Sequence, residues 1–328
     1  MRGNSSGVKY PTAESMIPRR VKVYAPATIS NLGPGFDILG IAIRRPGDIV
    51  IAERCKEPGL HFALESQDPR IPSSARDNVA GHVALLMLRE MKPQFGIRMT
   101  LKKKMPLGSG LGSSGASSVA SVVAVNALLP QPLPKYELLR FAAEGERKAC
   151  GAPHADNVAP SLLGGLCLIS SYDPLDVLQL PVSNRLIWIV VHPHLLVRTK
   201  DARAFLPGKI PLATAIRQWG NVSGVTAGLI SGNELCLKKC IEDNVAEPVR
   251  ARLIPGFEEV KRSSLRSGAL GCSISGSGPS LFAVTTRVQL AEKIANAMVR
   301  SFRREAGAGC DVYISKVNRG GATVQSIP

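Results

Sequence analysis

Apolar Ile97, Met99 and Leu101 alternate with Arg98, Thr100 and Lys102, the period-2 pattern of a half-buried strand. The next apolar set, Ala116, Val119, Val123 and Ala127, recurs at i, i+3, i+7 and i+11, so a helix follows, with Ser113 or Ser114 placed to cap its start. Upstream, Val79, Val83, Leu86 and Met87 have helical spacing and predict a helix over 78–91, while short strands are read at 21–24 and 48–52. A second helix is predicted over 136–148. From residue 185 the chain restarts with the buried strand "LIWIVV", then a loop and helix within 248–270. "GCSISGSGPSLFAV" reads as strand, glycine turn, strand. A helix over 291–303 and a strand near Val312, the last regular element predicted, follow.

The length of 328 residues predicts two domains, each large enough to bury a core. The boundary is placed near residue 180, in "YDPLDVLQLP", which divides the chain into a flexible tail (1–20), a first domain (21–180) and a second (181–328). The tail has no apolar stretch and is not a secretory signal; its Ser and Arg content leaves a bacterial cytosol or a plastid open.

Charge changes the picture more than composition does. Forty-one Lys and Arg against 25 Asp and Glu give +16, an excess that attracts polyanions, yet the basic residues are scattered and only Lys102, Lys103 and Lys104 form a run of three. Nucleic-acid binding is therefore a remote alternative. Between Lys104 and Lys135 no residue is charged. The most apolar part of that stretch, 119–129, is far shorter than the roughly 20 residues a bilayer needs, and Pro130, Pro132 and Pro134 close it. No membrane segment is expected. Seven cysteines include no C-x-x-C pair and have no His at ligand spacing, which argues against a disulfide framework and a zinc site; Cys236 and Cys240 read as thiols on one helix face.

The neutral stretch opens with "PLGSGLGSSGASS", a strand-to-helix turn. Gly108, Gly110, Gly112 and Gly115 allow positive φ and close approach, so N–H groups can point inward ahead of a helix N-terminus: an anion cradle. The Walker A lysine is missing. Gly110, Gly112 and Gly115 satisfy G-x-G-x-x-G, but the acid a dinucleotide site needs roughly 20 residues on would fall among Pro132, Pro134 and Lys135. A phosphate cradle without lysine calls for Mg²⁺, held by a hydroxyl (Ser113 or Ser114) and a carboxylate. Spacing leaves Glu144 and Glu146 both open.

The stretch resembles the P-x-x-x-G-L-G-S-S-x-A motif of the GHMP kinases, the superfamily of galactokinase, homoserine kinase and mevalonate kinase. "APATISNLGPGFDILG", "HADNVAPSLLGG" and "GCSISGSGPSLFAV" resemble, in order, further segments of its homoserine kinase branch. The resemblance runs from about residue 21 to the C-terminus. It implies an α+β two-domain GHMP kinase fold: an N-terminal α/β domain with a left-handed βαβ unit, a C-terminal ferredoxin-like domain, and the active site between them. It also implies ATP along Pro106, Leu107, Gly108, Ser109, Gly110, Leu111, Gly112, Ser113 and Ser114, Mg²⁺ on Ser113 and Glu146, and Asn78 at the adenine. The implied reaction is phosphorylation of the L-homoserine hydroxyl, a step of threonine biosynthesis, by a cytoplasmic enzyme that could dimerise.

Homoserine carries an ammonium, a carboxylate and a primary hydroxyl, so its site should pair an acid with arginines. By the resemblance, Asn31 and Asp37 take the ammonium end, Arg203 and Arg250 (preferred to Arg252) the carboxylate, and His154 and Asn157 complete the pocket. Mevalonate lacks the ammonium and would leave a buried Asp37 without a counter-ion, which disfavours the mevalonate-pathway alternative. Asn157 stands where mevalonate and galactose kinases carry an aspartate assigned as base. Asn cannot take a proton, and Asp156 would be turned about 100° away on a helix, so direct attack on the γ-phosphate without a carboxylate base is expected.

Overall fold

The computed structural model describes residues 17–195 and 205–327. The first sheet has strand order β11-β1-β2-β4-β3, with β5 pairing β2 and β6 pairing β5. Its spine is β1 (Arg20–Ser30) against β2 (Leu39–Cys55), both longer than the short strands predicted inside them. Pro26 cannot donate to a ladder, and the register between the two strands shifts between Pro26 and Thr28. Beyond the shift, Leu39, Gly40 and Ile41 of β2 also pair β5 (Leu166–Tyr172), which hairpins into β6 (Leu175–Leu180). On the other side, β3 (Leu60–Glu65) and β4 (Gly96–Lys102) run parallel, joined by α1 (Val79–Met91): the βαβ unit.

Helix α2 (Ser113–Ala127) occupies the middle of the first domain, and every residue from 115 to 126 is buried. A helix enclosed on all sides must be apolar or small throughout, which is why this stretch carries no charge. The serines are absorbed locally: Ser121 Oγ, for instance, donates to the Ala80 carbonyl at 2.6 Å. Helices α3 (Leu138–Cys150) and α4 (Ala155–Leu163) pack beside it.

The second sheet is formed by β7 (Ile187–Pro193), β8 (Gly271–Ile274), β9 (Leu281–Thr285) and β10 (Cys310–Ser315), in the antiparallel order β10-β7-β9-β8. Numbered within the domain this is 4-1-3-2, with helices between the first and second and the third and fourth strands, the ferredoxin-like arrangement. Its helices are α5 (Leu212–Ser231), α6 (Glu234–Cys240), α7 (Glu247–Arg250), α8 (Phe257–Arg266) and α9 (Val288–Ala306). Ile187, Ile189 and Val191 face a core with Phe257, Val260, Ile294 and Met298, while the alternate Trp188 and Val190 join the first domain's core. Burial on both faces explains the unbroken apolar run "LIWIVV".

The chain does not end at β10. A further strand, β11 (Thr323–Ser326), returns to the first sheet and pairs β1, Val21 opposite Ser326. Its residues are all exposed, so the sequence offered no alternation to reveal it. Among the described residues no helix is long and apolar enough to cross a membrane.

Candidate active site

Between the domains lies a cavity of about 570 Å³, whose wall includes the glycine loop, Glu146, Asn157, Asn31, Asp37, His154 and Arg250. Gly108, Gly110 and Gly112 have φ of 64°, 77° and 66°, and Gly112 rather than a serine caps α2, without any side-chain hydrogen bond. The predicted serine cap is thus corrected, for a steric reason: a Cβ at Gly112 would lie 2.0 Å from Thr28 Oγ1 and 2.7 Å from Asn157 Oδ1. The glycine leaves the α2 N-terminus open toward the cavity, where its N–H groups favour an anion. The loop is clamped from behind by the second domain: Ser275 Oγ donates to Gly110 O at 2.7 Å and Ser280 Oγ to Ser109 O at 2.5 Å. Ser109 Oγ itself is buried without a hydrogen-bond partner. An orphaned hydroxyl, a Cβ-free cradle and an open helix end suit a bound polyphosphate.

Glu146 on α3 faces this loop and is 7% exposed, whereas Glu144 stays at the surface beside Arg147 at 3.1 Å. Burial raises the Glu146 carboxyl above the ordinary range, against the lowering effects of Ser114 and Lys103. The hydroxyl that meets it belongs to Ser114, whose Oγ donates to Oε1 at 2.5 Å. Ser113, expected in that role, instead turns its Oγ toward Met105 O at 3.5 Å. One residue on a helix is a turn of about 100°, and α3 lies on the Ser114 side. A buried carboxylate with a hydroxyl beside a phosphate cradle is the hard oxygen set Mg²⁺ takes.

A lysine does serve the loop, from beneath. Lys103 Nζ donates to Asp48, to Ser113 O at 2.8 Å and to Ser117 Oγ at 2.8 Å, while fully buried Asp48 accepts the N–H groups of Lys104 (2.9 Å) and Met105 (3.1 Å). This network ties the end of β4 to the first turn of α2. Sequence reasoning missed it because Lys103 sits in a run that reads as surface charge.

The other end of the cavity gathers the expected substrate residues. Asn31, at φ 70°, donates from Nδ2 to Gly276 O at 3.0 Å and accepts the Asp37 N–H at 3.1 Å. His154 Nδ1 lies 3.7 Å from Asp37 Oδ2. Arg250 is 4% exposed, donates to Gly276 O at 2.8 Å and stacks on the Phe36 ring with 4.9 Å to its centroid; Arg252 is exposed, away from the cavity wall. Asn157 is locked at both ends of its amide, accepting from Thr28 Oγ1 at 2.7 Å and donating to Ser30 Oγ at 3.1 Å. Thr28 and Ser30 belong to β1, two positions apart on one face, and were not singled out in the sequence. Asp156 is also buried at the cavity wall, so the 100° offset does not remove it from the site.

One expected residue falls elsewhere. Asn78 caps α1, accepting from Ala80 N at 3.0 Å and donating to Pro72 O at 2.7 Å; both ends of its amide are engaged and it is not in the cavity wall. Arg203 lies outside the described residues. Arg70, bound to Asp68 through two bonds of 2.8 and 2.7 Å, lines the cavity without having been predicted. Outside the cavity wall, Cys55, Glu57 and His61 bring three potential ligand atoms within 4.8 Å of one another, a grouping that only the turn between β2 and β3 reveals.

A ferredoxin-like domain clamping a glycine loop whose helix end meets a buried carboxylate defines a GHMP kinase, an ATP-using enzyme. Residues 78–165 match the family model for the GHMP kinases N terminal domain and residues 225–304 that for the GHMP kinases C terminal. A homoserine kinase from Chlorobium phaeovibrioides is 43% identical over 318 residues, covering 93% of this chain and 99% of its own. One from Methanococcus vannielii is 38% identical over 304 residues, covering 92% and 97%. The crystal structure of homoserine kinase from Cytophaga hutchinsonii superposes with a TM-score of 0.91 at 46% identity, over 97% of this chain and 100% of that one. The chain belongs to the homoserine kinase family.

Proposed function

We propose that the protein transfers the γ-phosphate of ATP to the side-chain hydroxyl of L-homoserine, giving O-phospho-L-homoserine for threonine synthesis. The observation that carries this reading is one cavity with an anion cradle at one end and, at the other, an acid (Asp37) set against a buried arginine (Arg250). An amino acid has that polarity; mevalonate, lacking an ammonium, does not. The relatives' shared name supports the same substrate.

In this reading the triphosphate lies along the glycine loop, held by N–H groups of the loop and of the α2 terminus and by Ser109 Oγ. Ser114 and Glu146 hold Mg²⁺, which when bound neutralises charge on the phosphates. Asp37 takes the ammonium of homoserine, with Asn31 and His154 fixing the carboxylate's position, and Arg250 takes the carboxylate. Asn157, locked by Thr28 and Ser30, orients the hydroxyl and takes no proton. Phosphoryl transfer passes through a loose transition state, so positioning and electrostatics suffice for attack without a strong base.

A substrate panel with ATP and Mg²⁺, read by ADP release, tests the reading: turnover with L-homoserine and none with mevalonate is expected, and the reverse overturns it. Asp37→Asn is expected to raise KM for homoserine roughly 10- to 100-fold, the loss of one charge-assisted contact, with KM for ATP unchanged. Asp156→Asn is expected to retain turnover. Loss of kcat with homoserine affinity intact would assign Asp156 as base and refute direct attack.

A further inference from the structure

The lysine run at 102–104 has three different fates. Lys102 pairs with Glu65 at 3.0 Å on the sheet surface, and Lys103 is buried against Asp48. Lys104 is exposed and, with Arg44, Arg45, Tyr24 and Tyr313, lines an open cleft of about 560 Å³. The cleft lies where β2 passes beside β10: the Arg44 N–H donates to Lys316 O at 3.0 Å and to Ser315 Oγ at 2.9 Å, and Ile43 bridges Val317.

Three cationic side chains therefore converge on one concavity. Among the described residues no carboxylate lies within ion-pair distance of any of the three. The one acid beneath them, Asp48, is fully buried and already accepts from Lys103, Ser117 and two backbone N–H groups. The cleft's frame is fixed, since the Tyr24 hydroxyl reaches the carbonyls of Arg44 (2.7 Å) and Pro46 (2.9 Å) across the β2 bend. Uncompensated like charges held together in a concave wall raise the local concentration of anions, and guanidinium forks match phosphate oxygens in pairs.

We infer that this cleft is a second anion site, for a phosphorylated small molecule bearing at least two negative charges. Its volume suits a metabolite. Three cations in one hollow make a point rather than the stripe a polynucleotide requires. The site is separate from the ATP cavity but stands directly behind it, because Lys104 follows the lysine that holds Ser113 O and its own N–H is bound by Asp48.

Calorimetric titration with inorganic pyrophosphate tests this. The wild type is expected to bind two per chain, one in each site. Arg44→Gln/Arg45→Gln/Lys104→Gln is expected to bind one, keeping its KM for ATP and homoserine within twofold; Gly112→Ala, which blocks the phosphate loop, also binds one. Lys104→Gln alone, a change on one exposed side chain, is expected to weaken the second event 3- to 10-fold and guards against a folding artefact in the triple variant. Identical titrations for the wild type and the triple variant would overturn the inference. So would single-site binding by the wild type that the triple variant retains, or a short RNA oligonucleotide binding through these three residues more tightly than pyrophosphate.

Discussion

Lys103→Met tests whether the phosphate loop is held from beneath by a coupled buried network. The Lys103 side chain is 6% exposed and its ammonium meets Asp48, Ser113 O and Ser117 Oγ. Removing the cation leaves the Asp48 carboxylate wholly buried, though still accepting from Ser117 Oγ at 2.7 Å and from the N–H groups of Lys104 and Met105. Breaking a buried pair by deleting one partner costs about 3–5 kcal/mol, and three surviving donors put this case near the lower end. At 2–4 °C per kcal/mol for domains of this size class, the melting temperature should fall by roughly 6–12 °C. Asp48→Asn/Lys103→Met removes both charges and should recover most of that loss, so the double-mutant cycle should return a coupling of about 2 kcal/mol or more. KM for ATP should rise in the single variant, because the Ser113 carbonyl loses its anchor at the start of α2. Urea unfolding and steady-state kinetics give both numbers. A loss under about 1 kcal/mol for Lys103→Met, with additive single effects, would refute the coupling.

Gly112→Ala is expected to abolish turnover while far-UV circular dichroism stays native, since its Cβ would meet Thr28 Oγ1 at 2.0 Å and φ is 66°. A variant with more than a tenth of wild-type kcat/KM would show that the loop tolerates a side chain there. Burial raises the Glu146 carboxyl, so its protonated form suits the folded chain better, and without metal this contribution is fully present below the ordinary carboxyl range and lost as pH rises through the raised value. Glu146→Gln should therefore melt higher than wild type at pH 8 in EDTA, by a margin that shrinks on acidification; a pH-independent difference would contradict this. Burial lowers His192, 4% exposed with Nδ1 3.1 Å from Ser280 Oγ, to about 4. Stability should then fall as pH drops from about 6.5, the unfolded value, toward 4, by about 3 kcal/mol, and His192→Gln should flatten that slope in pH-dependent urea melts.

Where one periodicity governed a whole element, the sequence was readable: α1, β4 and α2 fall within two residues of the pattern. It failed where competing signals interrupt a strand. The charged and proline residues Arg44, Arg45 and Pro46 hide the continuity of β2, whose bend they form. Within the site, residue types were legible but orientation was not. Choosing Ser113 over Ser114 needs the direction of α3, which only packing supplies. Asn78 shows the converse, since an Asn before a helical run reads equally as a ligand contact and as a cap, and here its Oδ1 serves the cap while its Nδ2 donates to Pro72 O.

The uncharged stretch has a cause different from electrostatics at the phosphates. Neutrality follows from the enclosure of α2, because a charge anywhere in 115–126 would be buried. Enclosure in turn fixes the helix end that faces the cavity, so the N–H groups of the cradle are held before any ligand arrives. The positive charge that a Walker lysine would bring into the loop is placed under it instead, in Lys103, where it holds the backbone of Ser113 rather than a phosphate. The phosphate cradle proposed for the loop and the substrate-selecting pair proposed at Asp37 and Arg250 thus rest on different elements, α2 on one side and the β1–β2 loop with α7 on the other. Substitutions at the second set can change which alcohol is accepted while leaving the cradle, and with it the affinity for ATP, intact.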